Sequence, residues 1–293
     1  MAVWLPPFVD HHVHLQLIDS LRLRGGGLAG VVDLGGNAAV VAAMAREATG
    51  AGDQGAPYVR FVGAFLTAPG GYPSDRAWCP DGAVREVRSP AEAADAIDEQ
   101  VSFGASAIKV TLNREAGPVP DGPTLGALVH AAGERGVPVV AHVEGSGTAE
   151  LAIGAGVDVL AHTPWSERLD DTLVREAVSR GQRWITTLDI HRDDVESQQV
   201  AIDNLARFHA AGGRVLYGTD LGNGELPLAI NAREIAAMVR AGLDEDAVIA
   251  ALADPWPAML HPDGLATRIT DPEPSAPEDL PAWLAGAEVG RRR

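Results

Sequence analysis

The sequence predicts an α/β fold, a (β/α)8 TIM barrel built as a single domain over residues 1–293. Eight short apolar or β-branched segments recur along the chain, and alanine-rich helical patterns lie between them. Alternation of this kind is typical of parallel strands joined by crossover helices. Several helical patterns end in glycine just before the next strand, a common stop signal for a helix. Eight such units favour a closed barrel over an open doubly wound sheet.

The predicted strands are short apolar or β-branched runs, each followed by a helical pattern. In chain order they are Phe8–His14, Gly30–Leu34, Tyr58–Phe65, Ser106–Leu112, Val137–Val143, Val157–His162, Arg183–Leu188 and Arg214–Thr219. The helical patterns between and after them are Ala38–Ala48, Pro90–Phe103, Thr124–Arg135, Thr148–Ala155, Asp170–Arg180, Glu196–Ala211, Asn231–Ala241 and Asp244–Ala253.

The last part of the chain lacks the strand and helix alternation. Thr270–Pro281 is rich in proline and acidic residues, so residues 270–293 are expected to form an irregular C-terminal arm over the barrel surface. Within this arm, Leu280–Ala287 is expected to form one short helix, and Arg291–Arg293 to fray.

Composition and charge exclude several classes of function. The net charge of −17 repels phosphate backbones, so nucleic acid is not expected as a partner. A single cysteine, Cys79, excludes a disulfide framework and a zinc site built from cysteines. Because no histidine partner is evident, Cys79 is interpreted as an incidental thiol. Neither a Gly-x-Gly-x-x-Gly segment after the first strand nor a Walker A motif is present, so a nucleotide site is not predicted.

The sequence also bears on location and partners. No apolar run reaches the roughly 18 residues that a membrane span needs. The N-terminus does not combine a basic segment with an apolar one, as a signal peptide would. We therefore expect a cytoplasmic protein that acts on a small-molecule substrate and has no membrane partner. The sequence is compatible with either a monomer or a homo-oligomer.

Lys109 is unusual because it is the only lysine beside 22 arginines. Lysine can lose its proton and become a nucleophilic amine, whereas arginine, with a pKa above about 12, cannot. Lys109 lies in the apolar segment Ala-Ile-Lys-Val, which is typical of a buried strand. A buried strand is a poor place for a surface salt bridge, so a chemical role is favoured.

Polar residues terminate several of the predicted strands. His12 and His14 lie two apart at the end of the first strand, so both point to one side and suit a single metal, whereas His11 faces the opposite side. Catalytic residues of barrels gather at the carboxyl ends of the strands. The sequence therefore predicts a metal site at this end, formed by these two histidines with Lys109, His142, His162 and Asp220.

This order of ligands over strands one, four, five, six and eight resembles the amidohydrolase superfamily. Three segments narrow the resemblance to the imidazolonepropionase- and prolidase-like branch: Phe65–Gly71, Phe103–Val110 and Gly156–His162. The resemblance implies a hydrolase acting on carbon–nitrogen bonds other than peptide bonds. It also implies two divalent ions bridged by a lysine carbamate, which CO2 forms on Lys109.

The resemblance implies a role for each ligand. His12, His14 and Asp220 would hold the more buried ion, and His142 and His162 the second. Zinc is the expected metal, with manganese, cobalt or iron compatible with the same ligands. A hydroxide bridging the ions would attack an amide-type bond, linear or cyclic, while Asp220 would accept the proton of the parent water and return it to the leaving nitrogen.

The chain also departs from the branch. Relatives bracket the barrel with a small β-sandwich from both termini, whereas this chain is expected to begin at the first barrel strand and to lack a full accessory β-sandwich. Tyr72 stands where relatives often place histidine. Tyr72, Trp165, His191 and Arg192 are candidate substrate residues, Arg192 because it could clamp a carboxylate bidentately.

Other functions remain as alternatives. A mononuclear deaminase of the superfamily places a glutamate just beyond the fifth-strand histidine, and Glu144 follows His142 by two residues. The same bridging hydroxide could hydrolyse a lactone or a phosphotriester. An alternative outside the enzymes is a non-catalytic metal-binding barrel, which the presence of every expected ligand disfavours.

Overall fold

The computed structural model describes residues 2–51 and 55–292. In these ranges the strands are β1 (Val3–Leu5), β2 (Val9–Val13), β3 (Gly30–Asp33), β4 (Tyr58–Phe61), β5 (Phe65–Thr67), β6 (Val84–Glu86), β7 (Ile108–Asn113), β8 (Val139–Glu144), β9 (Val159–Leu160), β10 (Arg183–Ile185), β11 (Arg214–Leu216), β12 (Leu265–Ile269) and β13 (Glu288–Arg291). The α-helices are α1 (Ala38–Ala51), α2 (Ala93–Ser102), α3 (Gly122–Glu134), α4 (Thr148–Ala155), α5 (Asp171–Ser179), α6 (Val195–Ala210), α7 (Ala232–Arg240), α8 (Glu245–Ala253) and α9 (Leu280–Ala285).

The central strands are parallel and lie in two sheets. The larger sheet has seven strands in the order β11-β10-β9-β8-β7-β5-β6, and the smaller has three in the order β2-β3-β4. The predicted α/β fold with parallel strands and crossover helices is therefore confirmed. The described strands do not form a single closed sheet, so the predicted closed barrel differs from what is seen.

The division arises in the third predicted strand. Tyr58–Phe65 is not one strand: β4 pairs with β3, the chain leaves the ladder at Val62–Ala64, and β5 then pairs with β7. Gly63 has φ +80, a backbone conformation that cannot continue a strand. A further strand, β6, lies at the edge of the larger sheet beside β5 and was not predicted.

Backbone hydrogen bonds join the two sheets where their strands meet. The amide of His11 donates to the Tyr217 carbonyl at 3.0 Å, and that of His14 to the Leu221 carbonyl at 2.8 Å. On the other side, the Ser106 amide donates to the Phe61 carbonyl at 2.9 Å. Both ends of the three-stranded sheet therefore contact the seven-stranded sheet.

The termini form a separate antiparallel sheet, which corrects two expectations. β1 pairs with β12, with Val3 opposite Ile269, and β12 pairs with β13. The chain thus has a strand before the first parallel one, and residues 270–293 are not an irregular arm throughout. This segment holds α9, whose Trp283 and Leu284 side chains are buried in the core. Burial of these apolar residues provides the free energy that orders it.

Five of the described helices begin at a side-chain cap. The side chains of Asp121, Asp170, Asp194, Asn231 and Asp244 accept backbone N–H groups of the first turns of α3, α5, α6, α7 and α8. Such caps satisfy donors that have no partner inside the helix. None of the helices in the described ranges combines the length and the apolar character needed to cross a membrane.

Candidate metal centre

Six polar residues meet at the carboxyl ends of the parallel strands. His12 and His14 come from β2 and the residue just after it, Lys109 from β7, His142 from β8, and His162 and Asp220 from the segments that follow β9 and β11. All six are buried, and they line one cavity of ≈ 470 Å³. The same wall includes Leu17, Phe65, Tyr72, Trp78, Thr111, Glu144, Trp165, Ile190, His191 and Asn223.

The two-residue period of β2 and the residue after it separates His12 and His14 from His11. The Nε2 atoms of His12 and His14 each lie 3.1 Å from Oδ1 of Asp220. His11 points the other way, where Nδ1 lies 2.8 Å from the Tyr217 carbonyl and Nε2 lies 2.9 Å from the Asp254 carbonyl. Both nitrogens of His11 are therefore occupied by the backbone, and neither faces the cavity.

Hydrogen bonds fix which nitrogen of three histidines is free. Nδ1 of His12 donates to the Ala161 carbonyl at 2.8 Å, and Nδ1 of His14 donates to the Gly35 carbonyl at 2.9 Å. Nδ1 of His162 is hydrogen-bonded to Oγ1 of Thr187 at 2.9 Å. An imidazole held through one nitrogen keeps the lone pair of the other for a metal, and such outer partners orient ligands in metal sites.

The donors around His12 fit a metal ion. Its Nε2 is buried and makes no hydrogen bond among the described residues, although Asp220 is near. One ligand atom each from His12, His162 and Asp220 lies within 4.8 Å of the others. Burial lowers the pKa of His12 to about 4, against the attraction of Asp220, so the imidazole is neutral, as a ligand must be. Nitrogen and carboxylate donors at this spacing suit zinc and similar divalent ions.

His142 is held differently from the other three. Its Nε2 donates to Oε2 of Glu144 at 3.1 Å, and the same oxygen accepts a hydrogen bond of 2.6 Å from Nδ2 of Asn113. The remaining nitrogen of His142, Nδ1, is therefore the one available to a metal. Glu144 was predicted only in connection with the deaminase alternative, and Asn113 was not predicted at all.

Lys109 lies within the apolar sheet, as its sequence context predicts. The side chain is 1% exposed, and its backbone is paired between Phe65 of β5 and Val140 of β8. Burial lowers the pKa of Lys109 to about 7, against the opposing attraction of Asp220 and Asp33. A substantial fraction of the amine is therefore unprotonated near neutral pH, and the neutral amine is the form that can react with CO2.

Asp220 is positioned by an unusual backbone. Its φ is +58, a left-handed conformation that is uncommon outside glycine and is often found at functional sites. Oδ2 accepts a hydrogen bond from Nδ2 of Asn223 at 2.8 Å. Burial alone would raise the pKa of Asp220, but the adjacent His12, His14 and His162 outweigh it and hold the pKa well below its usual range. The carboxylate is therefore ionised and able to act as a ligand.

Two buried acids that support the site were not predicted. Oδ1 of Asp10 accepts the amides of His12 and Thr219 at 3.0 and 3.1 Å, and Oδ2 accepts the Thr219 hydroxyl at 2.6 Å. Asp33 accepts the amides of Leu15 and Gly35 at 2.7 and 3.1 Å. The available signal was an aspartate directly before His-His-Val-His and another at the end of the second predicted strand. Both acids hold the loops that carry the ligands.

Three of the four predicted substrate residues lie in the cavity wall. The Tyr72 ring stacks on His142 with centroids 5.2 Å apart. Trp165 meets the His162 ring edge-on at 5.2 Å and the His191 ring at 4.7 Å. Nε2 of His191 is buried and has no hydrogen-bond partner within the described ranges.

Arg192 departs from the expected carboxylate clamp. It does not line the cavity. Its Nη1 donates to the Asp189 carbonyl at 3.4 Å, and its Nε lies 3.7 Å from Asp193. The guanidinium therefore interacts with acidic residues of its own loop. Cys79 is half-buried, burial raises the pKa of its thiol, and its Sγ faces the Pro80 carbonyl at 3.9 Å.

Known proteins resemble this chain in structure and not in sequence. No protein-family model matches the chain, and no curated protein matches its sequence. Among solved structures, a Xaa-Pro dipeptidase with methionine bound in its active site is 19% identical, with a TM-score of 0.74 over 99% of this chain and 86% of that one. The ochratoxinase of A. niger is 17% identical, with a TM-score of 0.77 over 99% and 82%. The chain therefore shares its fold with these proteins.

A third solved structure with the same fold is that of an enzyme with a different named substrate. Molinate hydrolase is 17% identical, with a TM-score of 0.72 over 98% of this chain and 82% of that one. These neighbours are amidohydrolase-superfamily proteins, so the resemblance that the sequence motifs indicated is confirmed at the level of the fold. Their named substrates differ, and the activity of this chain is therefore argued from its own cavity.

Proposed function

We propose that this protein is a metal-dependent amidohydrolase that hydrolyses an amide-type C–N bond, linear or cyclic, in a small molecule. The observation that carries the proposal is the convergence of His12, His14, Lys109, His142, His162 and Asp220 on one cavity. The neighbours named above, which are hydrolases on the same fold, support the same class of reaction.

We infer that two divalent ions occupy this set of donors. His12, His14 and Asp220 would hold one ion, His142 and His162 the other, and Lys109, as a carbamate, would supply an oxygen to each. Zinc suits the histidine and carboxylate set best, and manganese, cobalt or iron are compatible with it. When bound, such ions polarise a substrate carbonyl and bring the pKa of an attacking water to about 7.

The chain's own residues account for the proton transfers. Asp220 faces the cavity and is ionised, so it can accept the proton of the water whose oxygen bonds to the substrate carbon. When the C–N bond breaks, Asp220 returns this proton to the leaving nitrogen, which departs as a neutral amine. The left-handed backbone at Asp220 and its bond from Asn223 keep the carboxylate directed at the cavity.

We also propose that the two parallel sheets are one barrel with an interrupted third strand. β4 and β5 are consecutive pieces of the predicted strand Tyr58–Phe65, and each pairs with the neighbour that a barrel would give it. The backbone bonds between His11 and Tyr217, and between His14 and Leu221, support closure on the opposite side.

A metal count combined with a substrate panel tests the proposal. Protein purified with zinc should hold about two ions per chain, since two ions acting on one water is the arrangement proposed. The panel consists of N-acyl amino acids, dipeptides, cyclic imides and lactones, and the proposal expects hydrolysis of an amide or imide.

The same experiment separates the alternatives. The hydrogen bond from His142 to Glu144 is the observation that favours the deaminase alternative. One ion per chain under metal-replete conditions, with unmodified Lys109, would support that alternative. Hydrolysis confined to lactones or phosphotriesters would contradict the amide assignment, and two ions without any turnover would indicate a non-catalytic metal-binding protein.

A further inference from the structure

None of the described residues that line the cavity is an arginine. Among the described residues that line it, Lys109 is the one long basic side chain, and it belongs to the proposed metal centre. Arg192 interacts with Asp189 and Asp193 instead of facing the cavity. Arg76 does not line the cavity either: its Nε lies 3.2 Å from Oδ1 of Asp75, and its guanidinium lies over the Tyr72 ring, 5.6 Å from the ring centroid. Within the described wall, a substrate carboxylate would therefore find no cationic side chain other than Lys109, which the proposed metal centre uses.

The remaining charges in the wall are acidic. Glu144 and Asp220 both border the cavity. A substrate carboxylate brought beside them would lose its hydration without gaining an ion pair, which is strongly unfavourable in a buried site. A carboxylate that bound the ions directly would take the place of the scissile carbonyl, so it would inhibit and would not be turned over.

Aromatic and aliphatic side chains form a large part of the cavity wall. Phe65 and Trp78 meet edge-on, with ring centroids 6.1 Å apart, and Tyr72 lies 6.1 Å from Trp78 on another side. Trp78 is 40% exposed, so it presents apolar surface at the entrance. Leu17 and Ile190 complete this apolar surface. Walls of this composition bind apolar groups and use few polar contacts for orientation.

His191 supplies a neutral polar contact. Its Nε2 is buried without a partner in the described part of the chain, and the ring packs against Trp165 at the cavity wall. Burial lowers the pKa of His191 to about 4, so the imidazole is uncharged at neutral pH. A neutral imidazole offers one N–H donor and one acceptor nitrogen, which match an amide or a carbonyl group.

We propose that this site selects uncharged amides that carry an aromatic or bulky apolar group, and discriminates against substrates with a free carboxylate. Apolar walls, an unpartnered neutral imidazole and the absence of arginine in the described wall all lead to this substrate class. The inference rests on the proposed function, since it names the substrate of the same site.

A matched pair of amides tests the inference. N-benzoyl-phenylalaninamide and N-benzoyl-phenylalanine contain the same benzoyl C–N bond and differ only in whether the far end is a neutral amide or a carboxylate. With zinc-loaded protein at neutral pH, kcat/KM for release of the benzoyl group should be at least about tenfold higher for the neutral compound. N-acetyl-alaninamide, which is neutral but lacks aromatic groups, should react at least about tenfold more slowly than the neutral benzoyl compound.

A gain-of-function variant sharpens the test. Leu17→Arg places a guanidinium in the cavity wall and should reduce the preference for the neutral compound by about tenfold. Leu21→Arg is the matched control, because Leu21 is 71% exposed and lies outside this cavity. It adds the same charge four positions along the chain, outside the cavity wall, and should leave the preference unchanged. An equal shift in both variants would mean that general charge, and not the cavity wall, sets selectivity, which would overturn the inference.

The outcomes separate this inference from the proposed function. Faster hydrolysis of N-benzoyl-phenylalanine by the wild-type protein would overturn the inference and leave the amidohydrolase proposal intact. If zinc-loaded protein hydrolyses none of the three amides, nor any amide of the wider panel, the proposed function fails. Calorimetric binding of the two benzoyl compounds then decides the inference, which tighter binding of the acid would contradict.

Discussion

At the scale of single residues, Lys109 carries the most chemical information. It is the only lysine of the chain, it is 1% exposed, and burial lowers its pKa to about 7. A buried ammonium is costly unless it is paired or deprotonated. Conversion to a carbamate between two cations would remove the cost, because the group then becomes an anion with two positive neighbours.

Substitution of Lys109 distinguishes a carbamate from a simple cation. Lys109→Arg keeps the positive charge and most of the length, so a salt-bridge role would survive it. Guanidinium stays protonated and repels the ions, so we expect loss of the metal pair and of nearly all hydrolysis. Metal content per chain measures the loss of the ions, and the far-ultraviolet circular dichroism spectrum checks that the variant is folded. Wild-type turnover by Lys109→Arg would contradict the bridging role.

The complementary variant tests the carboxylate function itself. Lys109→Ala leaves a space in which formate, acetate or propionate at millimolar concentration should bind and restore part of the activity and the second ion. Lys109→Met is the matched control, because its longer side chain fills that space. Rescue of Lys109→Met to the same extent would show that the added acids act elsewhere.

Asp220 has two separable roles, as a ligand and as a proton carrier. Asp220→Asn keeps an oxygen near the metal but cannot accept a proton, and general acid–base groups typically contribute about 10²–10⁴-fold. We therefore expect turnover to fall by that order while most of the bound metal is retained. Steady-state kinetics and metal analysis on the same preparation measure both quantities. Unchanged kcat would remove Asp220 from the proton transfers.

At the scale of elements, the alternation along β2 assigns opposite roles to adjacent histidines. His12 faces the cavity, whereas His11 faces the backbone carbonyls of Tyr217 and Asp254. This orientation follows from the two-residue period of a strand. The strand therefore presents ligands on one side and a structural connection to the end of α8 on the other.

Leucine substitutions on β2 test this division. His11→Leu removes the ring contacts with two buried carbonyls, and only the Tyr217 carbonyl keeps a bond from the backbone amide of residue 11, so the variant should lower the free energy of unfolding by about 1–3 kcal/mol. Its metal content should stay at the wild-type value. His12→Leu should instead lose metal. Denaturant unfolding together with metal analysis measures both effects. Loss of metal from His11→Leu but not from His12→Leu would mean that the assigned register of β2 is wrong by one residue.

At the scale of the whole molecule, the candidate metal centre joins the two parallel sheets. His12 and His14 are carried by the three-stranded sheet, whereas Lys109 and His142 belong to the seven-stranded one. Ions held between them would act as cross-links that exist only in the folded state. Binding to the folded state alone stabilises it by mass action.

Metal removal should therefore destabilise the fold. At a free ion concentration 100 times the dissociation constant, each ion adds about 2.7 kcal/mol to the free energy of unfolding. A chelator should lower the melting temperature of the wild-type protein, and added zinc should restore it. His12→Leu should show a much smaller response. His130→Ala, at an exposed position on α3, is the control that should respond like wild type. A melting temperature indifferent to chelation and to zinc would contradict the cross-linking role.

Much of the fold and of the candidate site follows from local sequence. Helix positions were predicted closely, as with Thr148–Ala155, because glycine stops and apolar patterns act within a few residues. The six predicted ligands were found together because residues at the ends of parallel strands share one edge, and because His12 and His14 are separated by one strand period.

Other features depended on contacts between distant parts of the chain. The bond between Asp10 and Thr219 spans 209 positions, and the pairing of β1 with β12 joins the two ends of the chain. Arg192 turned toward its own acidic loop, and the third predicted strand divided at Gly63. Side-chain direction, strand pairing and the partners of buried polar groups are set by packing and by the need to satisfy every buried donor and acceptor, which local patterns do not encode.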